Sequence, residues 1–169
     1  MHSVALISDT HSYLGQDVIK HISDVDEIWH AGDIGVMGTA KEIEAIGPKT
    51  RMVWGNIDNK DLRAQYPLEQ VFTLGGIKVY MVHIGGYPGR IYNKIKARIK
   101  QEQPDLYICG HSHILKVMRD QEHDLLHMNP GACGISGFHK FRTLLKFEID
   151  NGAINNLRAI ELGLRGKVS

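Results

Sequence analysis

Five short apolar runs in this chain each end on a loop carrying a side chain that can ligate a metal. Ser3–Ser8 (SVALIS) runs into Asp9-Thr10-His11, Glu27–Ala31 (EIWHA) into Gly32-Asp33, and Arg51–Trp54 (RMVW) into Gly55-Asn56-Ile57-Asp58. Val79–Val82 (VYMV) runs into His83, and Leu106–Cys109 (LYIC) into Gly110-His111-Ser112-His113. Such runs, short and apolar, read as buried strands. In open sheets, ligands bind beyond the carboxyl ends of strands, where loops emerge side by side. A fold that delivers all five ends to one edge gathers two Asp, one Asn and four His in one place.

The segments between these runs say which folds can do so. Gln16–Ile22, Thr39–Ile46 and Gly89–Gln101 have amphipathic helical patterns, the last with Ile91, Ile95 and Ile99 at helical spacing, which we read as core packing. Strands alternating with helices predict parallel pairing. Elsewhere the pattern changes to hairpins. Residues 70–74 and 78–83 flank Gly75-Gly76, residues 142–150 and 153–162 flank Asn151-Gly152, and residues 116–119 and 125–128 suit a further ribbon. The expected fold class is α/β (α+β), a four-layer α-β-β-α sandwich of two mixed sheets. With 169 residues, no internal repeat and no linker-like stretch, residues 1–169 are expected to form a single domain.

Composition excludes several functions. A net charge of +1 with no dense Lys/Arg run offers no nucleic-acid or membrane patch. A phosphate-bearing substrate would have to be held locally, as by metal ions. No run approaches the roughly 18 apolar residues of a membrane span. The N-terminus lacks the features of a signal peptide. Cys109 and Cys133 form no CxxC pair, and Cys109 reads as an inert core thiol. A cytoplasmic setting is therefore expected.

The ten histidines matter through their placement. Taken singly, each motif has an ordinary explanation. Asp-x-His and Gly-Asp favour turns, Asn56 suits a left-handed turn, and His83 could be a satisfied core histidine. Taken together at strand ends, Asp9, His11, Asp33, Asn56, His83, His111 and His113 form a metal site. Carboxylate, amide and imidazole donors suit manganese, iron, zinc or nickel, with manganese favoured. Seven donors exceed what one ion takes, so two divalent ions sharing one carboxylate are expected. Glycines before Asp33, Asn56 and His111 fit tight turns that aim a ligand inward.

The ordered series DTH, GD, GN, H and GHSH resembles the calcineurin-like metallophosphoesterases. The chain length and the late Asn129-Pro130-Gly131 resemble their compact YfcE-type phosphodiesterase branch. The resemblance implies one metal held by Asp9, His11, Asp33 and His113, and the other by Asp33, Asn56, His83 and His111. It implies hydrolysis of small phosphodiesters or nucleotides by attack of a metal-bridging hydroxide on phosphorus, with Asp9, Asp33 and Asn56 as catalytic residues. Asn56 would also donate from its amide to a phosphate oxygen.

One position departs from the wider superfamily. Many members carry GNH, whose His is thought to protonate the leaving group, whereas here the motif is Gly55-Asn56-Ile57-Asp58. A general acid contributes about 10²–10⁴ in rate. Its absence predicts a preference for diesters with good leaving groups. The alternative is a metal-binding, catalytically weak scaffold resembling the retromer scaffold subunit, and a monoesterase or protein phosphatase ranks after both.

Among other residues, Arg90 is a candidate for substrate phosphate. Asp58 is expected to support its turn or an imidazole. His30 and His127 are expected to be packed or to steady a ligand. His139 and Lys140 are candidates for lining the pocket. A homo-oligomer is compatible with the sequence.

Overall fold

In the computed structural model, which describes residues 1–167, ten strands form two five-stranded sheets packed face to face, and four helices cover their outer faces. The first sheet contains β1 (His2–Ile7), β2 (Glu27–His30), β3 (Lys49–Met52), β9 (Phe141–Asp150) and β10 (Ala153–Leu164) in the order β10-β9-β1-β2-β3. The second contains β4 (Glu69–Leu74), β5 (Ile77–Val82), β6 (Leu106–Ile108), β7 (Leu115–Asp120) and β8 (Leu125–Pro130) in the order β4-β5-β6-β8-β7. Both are mixed. β1, β2 and β3 run parallel, as do β5, β6 and β8, while the hairpin strands pair antiparallel at the edges.

The two-residue period of a strand decides the layers. Val4 and Leu6 of β1 point between the sheets, whereas Ala5 and Ile7 point outward under the first sheet's helices. In β5, Val79 and Met81 face the inter-sheet core, and Tyr80 and Val82 face the outer layer. Trp29, Phe147, Met128 and Ile108 complete the central core. Val18, Ile22, Ala40, Ile43 and Leu62, from helices α1 (Gln16–Ile22), α2 (Met37–Ala45) and α3 (Lys60–Gln65), cover the first sheet. Ile95 and Ile99 of α4 (Asn93–Glu102), with Ile91 just before it, cover the second. The isoleucine stripe is core packing, and the α-β-β-α sandwich stands.

Most strand and helix ends shift by one or two residues from expectation, and two differences are larger. Helix α4 starts at Asn93, because Gly89 at φ +90° and a turn closed by Arg90 N–H to the Tyr87 carbonyl keep residues 84–92 in a loop. Helix α3 was not expected, although Asn59 caps it by accepting from Leu62 N–H at 3.1 Å. Among the described residues, no helix is long and apolar enough to cross a membrane.

Candidate metal centre

The carboxyl ends of β1, β2, β3, β5 and β6 converge, and their loops are tied together by the backbone. Asp9 N–H donates to the Gly32 carbonyl, His11 N–H to that of Asp33, and Gly110 N–H to that of His83. Behind them runs a chain of side chains. His30 accepts from Gly32 N–H at Nδ1 and meets the Thr10 hydroxyl 2.9 Å from Nε2; Thr10 in turn donates to the Ile34 carbonyl. Burial holds His30 down at about 4, so it stays neutral and serves as a spacer between the first two loops. Asp58 accepts from the N–H groups of Ile34, Gly35 and Gly55, fastening the Asn56 loop to the Asp33 loop.

The loops are strained where the ligands sit. Asp9, His11, Ser12, Asp33, His111 and His113 have φ between 45° and 71°, the left-handed region that side chains disfavour. Non-glycine residues there cost roughly 1–3 kcal/mol each and persist where surrounding structure enforces them, commonly at functional sites. The glycines before the ligands stand at tight turns as expected, with Asp58 N–H donating to the Gly55 carbonyl and Ser112 N–H to that of Gly110. Gly32 alone of the three adopts positive φ, at 97°. Gly55 is required for closeness, because a Cβ there would lie 2.2 Å from Asp33 Oδ1.

Two groups of donors result. Asp9, His11 and His113 form the inner group, and Asp33, His83 and His111 the outer one, with donor atoms in each within 4.8 Å of one another. Asn56 joins the outer group, its Oδ1 lying 3.1 Å from His83 Nε2 and 2.9 Å from His111 Nδ1. Asp33 Oδ2 faces both groups, 3.4 Å from His11 Nε2 and 3.2 Å from His83 Nε2. Its other oxygen accepts from Ile57 N–H at 3.0 Å. All seven expected ligands are thus brought together.

Hydrogen bonding fixes which atoms face inward. His83 Nδ1 donates to the Ala31 carbonyl at 2.6 Å, which leaves a lone pair on Nε2. His139 Nε2 donates to the Gly134 carbonyl, so its Nδ1 accepts from His113 Nδ1 at 3.0 Å. His113 Nε2 then presents its lone pair 3.1 Å from Asp9 Oδ1. Asp9 Oδ2 is satisfied by the Ser8 hydroxyl and His111 N–H, but the buried Asp9 Oδ1 and His11 Nε2 make no hydrogen bond. Acceptor facing acceptor at such distances needs a positive charge between them. These residues therefore fit divalent cations, in the donor mix that borderline transition metals prefer.

Without metal, protons supply that charge. His11 is pushed up to about 9, chiefly by Asp33 and then Asp9. Burial opposes charge on His83, yet Asp33 and Asp9 outweigh it and raise its pKa. Burial likewise opposes ionisation of Asp9 and Asp33, but the surrounding imidazoles hold both carboxyls well below the usual range.

The remaining candidates sort by contact. Arg90 is exposed beside a cavity that His111 also lines. The Asp58 carboxylate accepts from three backbone N–H groups and, among the described residues, hydrogen-bonds no imidazole. His127 lies on that cavity's floor, and Cys109 is a buried thiol raised to about 12 by desolvation. Lys140 is exposed, its ammonium near the Phe141 ring, whereas His139 is buried and steadies His113. Sequence reading missed Arg63, which α3 places so that it donates to the Asn56 and Asp58 carbonyls while stacking on Trp54. It also missed Asn129 as a brace, donating to the Gly110 carbonyl and the Ser112 hydroxyl. A third grouping, Asp120, Glu122 and His123, differs in kind, because Asp120 is already engaged by two backbone N–H groups and His123 Nδ1 within one turn.

Residues 2–152 match the calcineurin-like phosphoesterase superfamily domain, and the chain belongs to that superfamily. It is 28% identical over 134 residues, 76% of each chain, to a probable metallophosphoesterase of Methanothermobacter thermautotrophicus. Its fold is similar to that of an archaeal phosphodiesterase, with a TM-score of 0.74, 21% identity, and coverage of 94% of this chain and 99% of that one. It is also similar in fold to Chaetomium thermophilum Vps29, with a TM-score of 0.77, 15% identity, and coverage of 95% and 97%.

Proposed function

We propose that this protein is a two-metal phosphodiesterase acting on small phosphodiesters or nucleotides, with manganese the favoured ion. The observation that carries this reading is the convergence of seven donors with Asp33 Oδ2 facing both groups. Membership of the superfamily and the fold of the archaeal phosphodiesterase support it.

Two divalent ions would supply Lewis acidity, making water a usable nucleophile and drawing charge from phosphate oxygens. The chain's own residues do the rest. Asp9, His11, Asp33 and His113 would hold one ion, and Asp33, Asn56, His83 and His111 the other. Asn56 turns its oxygen toward the imidazoles, which points its amide hydrogens away from them and leaves those hydrogens free to donate to a phosphate oxygen. In hydrolysis a water oxygen bonds to phosphorus, the bond to the leaving oxygen breaks, and that oxygen must acquire a proton. Ile57, at 44% exposure beside the site, cannot donate it. Esters whose leaving oxygen is stable as an anion should therefore react best. Two buried unpaired thiols accord with a reducing, cytoplasmic setting.

Ile57 also favours a second reading, a metal-binding protein that works as a scaffold. Hydrolysis of a nitrophenyl diester and the matching monoester decides between them, using chelated protein with Mn, Zn, Ni or Mg restored and Asp33→Asn as control. Metal-restored diester activity that vanishes in Asp33→Asn is expected. Bound metal with no hydrolysis by any ion would favour the scaffold.

A further inference from the structure

Beside the outer donor group lies a cavity of about 340 Å³, at the small end of the roughly 300–1,000 Å³ of small-molecule sites. His111 forms part of its wall, so whatever fills the cavity adjoins the metal centre. Its rim is apolar and aromatic: Ile84 and Tyr87 are each 37% exposed and Tyr92 is 55% exposed. Its charge is of one sign. Arg90 and Lys116 line it, no carboxylate does, and neither cation forms an ion pair among the described residues. Lys116 Nζ sits 3.7 Å from the centre of the Tyr87 ring, which holds the cation at the rim.

The floor adds a directional demand. His127 is fully buried there, and its ring packs 4.9 Å from that of Tyr107. Nδ1 donates to the Tyr107 carbonyl at 3.2 Å, so Nε2 is an acceptor, and it has no partner. A buried acceptor left unmatched costs about 1–3 kcal/mol, a debit that a ligand N–H would remove. The other polar floor atoms are already engaged: Asn129 spans Gly110, Ser112 and Gly131, and the Cys109 thiol points to the Gly86 carbonyl.

We propose that this cavity is a nucleobase subsite, which makes the substrate of the adjoining centre a nucleotide phosphodiester whose base lies against Tyr87 and donates an N–H to His127. Aromatic faces stack a base, the cations accommodate the anion attached to it, and the buried free acceptor of His127 matches a base N–H donor. The inference rests on the phosphodiesterase reading, so its test separates the two.

The nitrophenyl esters of adenosine 5′-monophosphate and of methyl phosphate share a leaving group, so the ratio of their kcat/KM values isolates the nucleoside. Manganese-loaded protein is expected to prefer the adenosine ester at least tenfold. His127→Phe, which keeps the ring, and Tyr87→Ala, at the exposed rim, should each lower that ratio about tenfold. Replacing adenine by unsubstituted purine removes the base's N–H donors, and should reproduce the His127→Phe loss in the wild type while adding nothing to it in the variant. Equal kcat/KM for the adenosine and methyl esters, or a ratio unmoved in both variants, overturns the subsite. If neither ester is hydrolysed, the phosphodiesterase reading fails instead. Calorimetric titration with adenosine 5′-monophosphate then decides the subsite: saturable binding weakened in both variants sustains it, and no binding removes it.

Discussion

The inner and outer donor groups each contain one Asp and two His, and they differ in the Asn56 that joins the outer one and in their exposure. The inner one has no exposed donor: Asp9 is buried against Ser8, His11 is half-buried, and His113, also half-buried, leans on His139, which is itself anchored to a carbonyl. The outer one is half open. Asp33 and His83 are buried, but Asn56 and His111 are exposed, and His111 forms part of a cavity wall. Imidazoles whose far nitrogen is already bonded are held in one orientation, which favours tight metal binding. Exposed donors leave positions that a substrate can approach. His83 of the outer group is braced in the same way, by the Ala31 carbonyl, so the contrast lies in exposure: only the outer group presents exposed donors, with Asp33 Oδ2 facing both groups.

The largest expected effect breaks that contrast altogether. Asp33→Asn removes the charge that both groups share, and should reduce bound metal at both sites and bring diester hydrolysis to background. His111→Ala should empty only the outer site. Metal content after dialysis, by elemental analysis, checks both, and two retained ions in Asp33→Asn would contradict the shared role.

A smaller effect tests the brace. His139→Phe takes away the acceptor for His113 Nδ1, and should weaken the inner ion about 10–100-fold, as loss of such supports generally does. The outer ion should be unaffected, which two-step calorimetric titrations would resolve. Equal weakening of both sites would mean that the loop as a whole had moved.

Proton release comes next. Asp33 and Asp9 push His11 up to about 9 and also raise His83, so at neutral pH protons occupy places that a cation must take. Affinity should therefore rise with pH toward 9, by up to about tenfold per pH unit for each proton displaced. Calorimetry in buffers of different ionisation enthalpy counts those protons. For the metal-free protein the sign is opposite. A histidine raised in the folded state stabilises it fully below about 6.5, and that contribution is lost as pH rises through 9.

The smallest effect lies outside both groups and should not depend on metal. Burial holds His30 and His127 near 4, well below their ordinary value of 6.5. Between those values the unfolded chain binds protons that the folded one refuses, so stability falls as pH drops from 6.5 to 4. For a chain of this size roughly 1 kcal/mol shifts Tm by about 2–4 °C. Thermal melts across that range should slope downward in wild type, and less so in His127→Phe.

The ligands were legible because strand ends announce themselves. An apolar run that stops abruptly at Asp, Asn or His marks both a strand and what it delivers, and the hairpin at Asn151-Gly152 needs only local turn geometry. Helix α3 was less visible, since six residues carry little periodicity, although its Asn59 cap was readable.

What the sequence could not specify is what depends on residues distant along the chain. It put His113 among the ligands but not His139 behind it, 26 residues later, because no local spacing relates them. It named the glycines at their turns but not the closeness two of them allow, because the approach to Asp33 or Ser8 is a property of packed loops and not of one backbone's dihedral angles. It gave no sign that the lone pairs of His83, His113 and Asp9 would face one another, nor that His127 would be buried with one nitrogen unmatched. Patterns of apolar and polar residues determine which elements form and which side chains stand at their ends. Atom-level hydrogen bonding between loops from two sheets decides which nitrogen is left free, and only the folded chain brings those partners within 3 Å or so.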